Sequence, residues 1–298
     1  MPEISALRMR RVAMRASVII PFFEMNDSVK LTLEALSAQT FPNNEFEMIF
    51  VDNSPVPNPE FFARQDHLVL LHEPKPGQFA ARNLGCSKAR GDVLLFTDAD
   101  CIPDKYWVER MVQAVEAGAD RVGGVIKLIT RSTTPGVVER FELATTFDQA
   151  RSINYRGHVA TANMGISKKI LSVVGSFNET CLSGGDLEWS MRFNRLGFST
   201  TLVDSAVVYH PTRGTLRALM RHRIRLAGNV ICEEGPKNRL LWILKLASFR
   251  RGVAQKLWAD KSVSLLDYVA ISAIGIFLHV WMSGWSVLFS FGVPPPRK

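Results

Sequence analysis

Cysteine is scarce: the 298 residues hold four, Cys86, Cys101, Cys181 and Cys232, and no two of them have CxxC spacing. That excludes a zinc-ribbon site and a disulfide framework, and reduced thiols in a cytosolic setting are the simplest reading. The chain also lacks internal repeats and low-complexity tracts. A secretory signal is not expected. Residues Met1 to Ala16 carry Arg8, Arg10, Arg11 and Arg15, but the apolar stretch that follows, Ser17 to Phe23, is short and broken by Pro21.

What is present is a folding sequence. Apolar residues make up 47% of the chain, enough for a packed core in one large domain or two ordinary ones. The formal charge is +8 and uneven, concentrated in the first 15 residues and again beyond residue 210. From Ser17 the pattern alternates. "SVIIP" reads as a strand, and Asp27-Ser28 opens a helix with Val29, Leu33 and Leu36 at helical spacing. "FEMIFVDNS" reads as a strand buried on both faces, "HLVLLHE" as a third strand, "QFAARNLGCSKA" as a helix stopped by Gly91, and "DVLLFTDAD" as a fourth strand. A helix over 104–118 and the strand "DRVGGVIKL" continue the alternation, which predicts an α/β fold with a mostly parallel sheet. Beyond about residue 130 the pattern loosens. A helix after Gly185 is expected to carry Trp189, Phe193 and Leu196 on one face and to close at Gly197.

In open α/β sheets, ligands bind outside the carboxyl ends of the strands, where loops and helix N-termini converge. Asp52 with Asn53, and Asp98 with Asp100, all follow predicted strand ends and so share one rim. Strand alternation would turn Asp98 and Asp100 into one pocket, where two carboxylates repel unless a cation bridges them. Hard oxygen ligands suit Mg2+ or Mn2+, and such ions complete their shells with substrate phosphates and water. The alternative is that the pair caps the turn before "CIPD".

Four segments in order, "SVIIPFFEMNDSVKLTLEALSAQTF", "FEMIFVDNSP", "PGQFAARNLGCSKARGDVLLFTDADCIPDKYW" and "GGDLEWSMRFNRLGF", closely resemble the family-2 inverting glycosyltransferases with the nucleotide-sugar-binding GT-A fold. The likeness covers roughly residues 17 to 210. It implies transfer of a sugar, with inversion, from a nucleoside diphosphate donor to an acceptor hydroxyl, with UDP the default nucleotide. By the same likeness, Asp52 and Asn53 correspond to the base-and-ribose pair, with Pro21 bordering the pocket. A second aspartate is usual where Asn53 stands, which leaves base preference open, and "DNSP" alone reads equally as an Asx turn. Arg82 corresponds to an arginine that reaches the donor, Asp98 to a ribose or sugar ligand that also borders the metal, and Asp100 to the metal ligand. Asp186 in "SGGDLEW" corresponds to the catalytic base. Gly185 stands where the family often has a second acid, so acceptor identity stays open. Against the base role, Ser183 and Asp186 have capping-box spacing. Glu188 is a weaker acid candidate, Arg192 could reach a phosphate, and Trp189 could stack on a sugar or simply fill the core. Asn163 and Gly165 fall in the acceptor-side segment with a positional role. His210 resembles a histidine that completes metal coordination in some members, or is structural.

The basic C-terminal part has Arg213, Arg217, Arg221, Arg223 and Arg225 interleaved with Leu216, Leu219, Met220 and Ile224. The absence of stacking aromatics argues against nucleic acid. Anionic headgroups or a lipid pyrophosphate acceptor fit better, a solvated helix being the alternative. Tyr268 to Val293 carries no formal charge over 26 residues, enough to cross roughly 30 Å of hydrocarbon. Trp281, Trp285 and the mid-segment His279 leave a buried helix or shallow hairpin as alternatives. Arg250, Arg251, Lys256 and Lys261 before it would place the catalytic part on the cytoplasmic face.

The expected organisation is a basic arm over 1–16 and a GT-A domain over 17–212, divided into a nucleotide-sugar half (17–130) and an acceptor half (131–212). Basic amphipathic helices over 213–261 and an apolar membrane-associated segment over 262–298 follow. The expected partners are a nucleoside diphosphate sugar, a saccharide or lipid-linked acceptor and a membrane surface. Alternatives are a nucleotidyltransferase, which would give "GGDLEW" no role, and a catalytically silent nucleotide-sugar-binding scaffold.

Overall fold

The computed structural model describes residues 13–57, 67–130, 132–145, 147–181, 183–233 and 264–290. The readings made for Arg8, Arg10, Arg11, Arg250, Arg251, Lys256 and Lys261 lie outside the described residues.

The first half builds as the alternation predicts. Strands β1 (Ala16–Phe22), β2 (Phe46–Asp52), β3 (Leu68–His72) and β4 (Val93–Thr97) pair in parallel in the order β3-β2-β1-β4, with helices α1 (Asp27–Ser37) and α2 (Gln78–Lys88) as crossovers. β1 and β2 are buried along their whole length because helices cover both sheet faces. Their side chains divide by parity. Val18, Ile20, Met48 and Phe50 pack with Val29 and Leu36 of α1 and Trp107 and Met111 of α3 (Trp107–Glu116). Ile19, Ile49 and Val51 pack on the other face with Phe79 of α2 and with Trp189 and Phe193 of α7 (Gly185–Arg195). Pro21 is tolerated inside β1 because it lies beyond the last β1–β4 pair, Ile19 with Phe96, where no ladder bond is needed. Asn26 caps α1, its side chain accepting from the Ser28 and Val29 amides at 2.9 and 3.2 Å.

The second half turns the sheet mixed. After β5 (Ile102–Pro103) and β6 (Arg121–Ile129) come α4 (Val137–Thr145) and α5 (Gln149–Arg156), then β7 (Asn163–Ser167), α6 (Lys168–Val174), α7 and β8 (Thr200–Pro211). β7 inserts antiparallel between β4 and β6, and the eight-stranded order is β3-β2-β1-β4-β7-β6-β8-β5. β6 therefore does not extend the parallel run, although it lies parallel to β8. The β6–β8 register slips between Gly124 and Val125, whose partners are Val203 and Val207. Asn163 closes that gap. Its Nδ2 donates to the Val125 and Ala206 carbonyls, each at 3.0 Å, and its Oδ1 accepts from Trp107 Nε1 at 2.8 Å.

α8 (Leu216–Glu233) and α9 (Leu265–Ser290) complete the described residues. α9 is long and apolar enough to cross a membrane by length and composition, with a mean hydropathy of 1.8 over an 18-residue stretch within Leu265–Trp285. One face is docked on α4 and α8, where Ile271 and Leu278 pack with Phe141 and Leu219. Arg140 donates to Asp267 at 2.6 Å at the start of that contact.

Asn163→Ala should leave the Trp107 indole N–H and two buried carbonyls unpaired, and lower stability by about 3 kcal/mol. Urea unfolding checks this, with an unchanged far-ultraviolet spectrum for the folded variant.

Candidate active site

β2 and β4 run parallel on either side of β1, so their carboxyl ends open on the same rim. Asp52 ends β2, and its Oδ1 accepts from the Ser54 amide at 2.8 Å, so the Asx turn does form. Asn53 does not face a ligand as a free amide. Its Nδ2 donates to the Glu73 and Lys75 carbonyls and its Oδ1 accepts from the Gly77 amide, which ties down the loop leading into α2. Pro21 pairs in register with Val51, beside Asp52.

Asp98 and Asp100 converge, but by a different route from strand alternation. β4 ends at Thr97, and a turn closed by the Cys101 amide on the Asp98 carbonyl at 3.1 Å carries both acids. Thr32, buried in α1, donates to the Ala99 and Cys101 carbonyls at 2.9 and 2.7 Å and holds this turn from beneath. Immediately after it, β5 pairs with β8, Ile102 opposite Tyr209, and this pairing delivers His210 to the acids. Ligand atoms of Asp98, Asp100, Cys101 and His210 all lie within 4.8 Å of one another. His210 Nδ1 lies 2.8 Å from the Pro211 carbonyl, which favours a proton on Nδ1 and leaves Nε2, 3.6 Å from Asp100, with its lone pair toward the acids. Burial, with Asp100 and Asp98 adding to it, pushes the Cys101 thiol well above its usual range, so it stays protonated. Two carboxylates and an imidazole suit a hard divalent cation such as Mg2+ or Mn2+.

Arg82 is fully buried and donates to Asp98 at 2.5 Å. It anchors Asp98 through Nη2, while Nε and Nη1 have no hydrogen-bond partner among the described residues. Burial raises the Asp98 carboxyl, opposed by Arg82 and His210 and reinforced by Asp100 and Asp186. Beside Asp100 and His210, a cavity of about 240 Å³ runs to Thr212, Arg213 and Thr215 at the start of α8. That volume suits a diphosphate better than a whole drug-sized ligand. Arg225, farther along α8, feels the carboxylates of Asp100 and Asp98.

Asp186 lies in the first turn of α7, whose N-cap is Gly184 with no side-chain cap bond, so Asp186 is not the second half of a capping box. Its Oδ1 accepts from the Leu187 amide at 3.0 Å and its Oδ2 lies 3.5 Å from His158 Nε2. Burial pushes this carboxyl up, but His158, Arg82 and the Leu187 amide more than offset it and hold it below the usual carboxylate range. Gly185 also has a physical reason. A Cβ there would sit 2.7 Å from the buried Phe79 ring, so the second acid of the family pattern does not fit.

Trp189, Arg192 and Glu188 are held by the protein's own groups rather than by a ligand. Trp189 is wholly buried, donates to the Gly175 carbonyl at 2.8 Å and stacks on Phe193, so no ring face is left for a sugar. Arg192 spends its donors on Glu188 and on the Val174 and Ser176 carbonyls, which removes both Arg192 and Glu188 from the cleft. Asn163 is structural, as described above, and Leu196 is 54% exposed rather than on the packed face of α7. Sequence reasoning missed Cys101, signalled only by its adjacency to Asp100, and His158, a lone histidine with no motif around it.

This sheet order, with an acid cluster at the carboxyl ends of its parallel half, defines the architecture of a GT-A glycosyltransferase. A sequence model described as Glycosyl transferase family 2 matches residues 17–175, more than half of the chain, and the chain belongs to that family. It is similar to the glycosyltransferase AglE of Haloferax volcanii, 31% identical over 249 residues covering 81% of this chain and 79% of that protein. The amylovoran biosynthesis glycosyltransferase AmsB of Erwinia amylovora is 22% identical over 213 residues, 65% of this chain and 69% of AmsB. The crystal structure of S. aureus TarS 1-349 in complex with UDP superposes with a TM-score of 0.51 at 16% identity, covering 94% of this chain and 92% of that one. The protein is a family-2 glycosyltransferase.

Gly185→Ala should cost about 1–3 kcal/mol through overpacking against Phe79, and Phe79→Leu in the same chain should return part of it. Thermal melts of the single and double variants check this.

Proposed function

We propose that this enzyme is inverting and moves a sugar from a nucleoside diphosphate donor, a UDP-sugar in preference to others, to a hydroxyl of a lipid-linked or cell-envelope saccharide. One observation carries the reading: the acid cluster with His210 borders a diphosphate-sized cavity, while a separate carboxylate held below the usual range, Asp186, acts electrostatically on Asp98. Asp52 beside Pro21 would receive the nucleoside. Asp98, held by Arg82, would receive the ribose or sugar, and the diphosphate would lie in the cavity toward the N-terminus of α8, whose dipole favours an anion. Asp98, Asp100 and His210 would hold Mg2+ or Mn2+, which supplies positive charge for the departing diphosphate. Asp186 takes the proton of the acceptor hydroxyl as it attacks the sugar from the face opposite the leaving group. The UDP in the TarS structure and the name of AmsB support the donor class and the envelope setting.

The membrane reading rests on α8 and α9. Opposite its docked face, α9 exposes Leu266 (82%) and Val280 (63%), and α8 exposes Arg217, Arg221 and Arg225 at four-residue spacing along one side. Apolar side chains next to a basic stripe fit an anionic bilayer surface, on its cytoplasmic side.

In thermal-shift assays, UDP with Mn2+ should raise the melting temperature more than either alone or than GDP or dTDP. Asp100→Asn should abolish the cation's contribution. Asp186→Asn should keep the shift and lose about 10²- to 10⁴-fold in turnover; undiminished turnover would refute the base assignment. The full chain should also cosediment with vesicles containing phosphatidylglycerol but not with pure phosphatidylcholine vesicles, and Leu266→Glu with Val280→Glu should weaken that binding.

A further inference from the structure

His158 lies 28 residues before Asp186 and in no recognised motif, yet the fold spends several contacts on placing it. Helix α5 ends at Gly157, in the left-handed region at φ 56°, and the chain is locked there by the Gly157 amide on the Ile153 carbonyl and the His158 amide on the Ser152 carbonyl. The Gly157 carbonyl is gripped from the other side by Arg121 Nη2 at 2.6 Å and Asn194 Nδ2 at 3.2 Å. A Cβ at Gly157 would meet the Asn194 amide at 2.4 Å. Arg121 is itself buried, bonds Ser190 of α7 and Thr200, and lies over the Phe193 ring. The turn that carries His158 is thus pinned to the helix that carries Asp186, and the imidazole arrives with Nε2 3.5 Å from Asp186 Oδ2.

We propose that His158 is a positioning residue for the Asp186 base: it orients the carboxylate between Nε2 and the Leu187 amide to receive the acceptor proton. This rests on the reading of Asp186 as the base. The charged groups acting on Asp186 are His158, Arg82 and Asp98. Arg82 donates to Asp98 through Nη2, and His158 is the one of these whose side chain lies within 3.5 Å of an Asp186 oxygen. The proton stays on Asp186 in this step; His158 forms and breaks no bond.

The sign follows from the base role. A base works above its pKa, and His158 lowers that of Asp186, so removing the imidazole raises it and moves the acid limb of the rate profile to higher pH. Titrate the Asp186 carboxyl by 13C NMR in the full-length wild type, His158→Leu and His158→Gln, and follow release of UDP from the best-hydrolysed UDP-sugar across pH. The midpoint and the acid limb should rise together in His158→Leu, turnover should fall roughly ten- to hundredfold, and the UDP-Mn2+ thermal shift should persist. Gln, whose amide N–H can replace Nε2–H, should recover most of the turnover. In an Asp186→Asn background, His158→Leu should cost nothing further.

An Asp186 midpoint equal in wild type and both variants would overturn the proposal, as would a lower rate on an unshifted limb. If His158→Leu does not fold, His158→Gln and the double variant decide by the same readouts. Full activity of Asp186→Asn would instead sink the base reading itself, a result separable from the NMR titration.

Discussion

The site depends on keeping negative charges together in a partly dry cleft. Asp100 and Asp186 each act electrostatically on Asp98, and two carboxylates about 5 Å apart repel by a few kcal/mol at an effective dielectric near 20. The protein answers part of that repulsion locally. Arg82 is buried under Asp98 and donates to it, and Asp186 accepts from the Leu187 amide with His158 Nε2 3.5 Å away. Thr32 fixes the turn that carries Asp98 and Asp100 through its own backbone carbonyls, so their spacing is set by hydrogen bonds rather than by the charges.

Those local answers require the mixed half of the sheet. β7 enters antiparallel beside β4, and β8 returns to pair with β6 and then with the short β5. The slipped β6–β8 register would leave carbonyls unpaired in the core, and Asn163 satisfies two of them while receiving the Trp107 indole. The position of His210 thus rests on a polar side chain deep in the sheet. The same tying-down accounts for Asn53, whose amide is consumed by the loop before α2, and for Arg192, consumed by the end of α6 and its neighbour Glu188.

Much of the parallel half was legible. Unbroken apolar runs at "SVIIP" and "FEMIFV" declared strands covered on both faces, and parity alone then assigns Val18 and Ile19 to opposite cores. The rim positions of Asp52, Asp98 and Asp100 followed from strand ends. Less legible were the arginines and the tryptophan of α2 and α7. A side chain with donors or a π-face has the same sequence signature whether it meets a ligand or the protein's own carbonyls, and burial decides between the two. The apolar C-terminal helix shows the same limit, since length and composition qualify it to span a bilayer while the packing of Ile271 and Leu278 gives one face a protein partner.

The sequence by itself determined the alternation of strands and helices, the carboxylates at the rim and the family likeness, because hydrophobic period and local motif act over a few residues. Only the tertiary structure decided which polar groups meet: His210 reaches Asp100 across 110 positions through the β5–β8 pair, and His158 reaches Asp186 through a pinned turn. Contacts between residues far apart in the chain depend on how strands order and register in the sheet, and no short stretch of sequence encodes that.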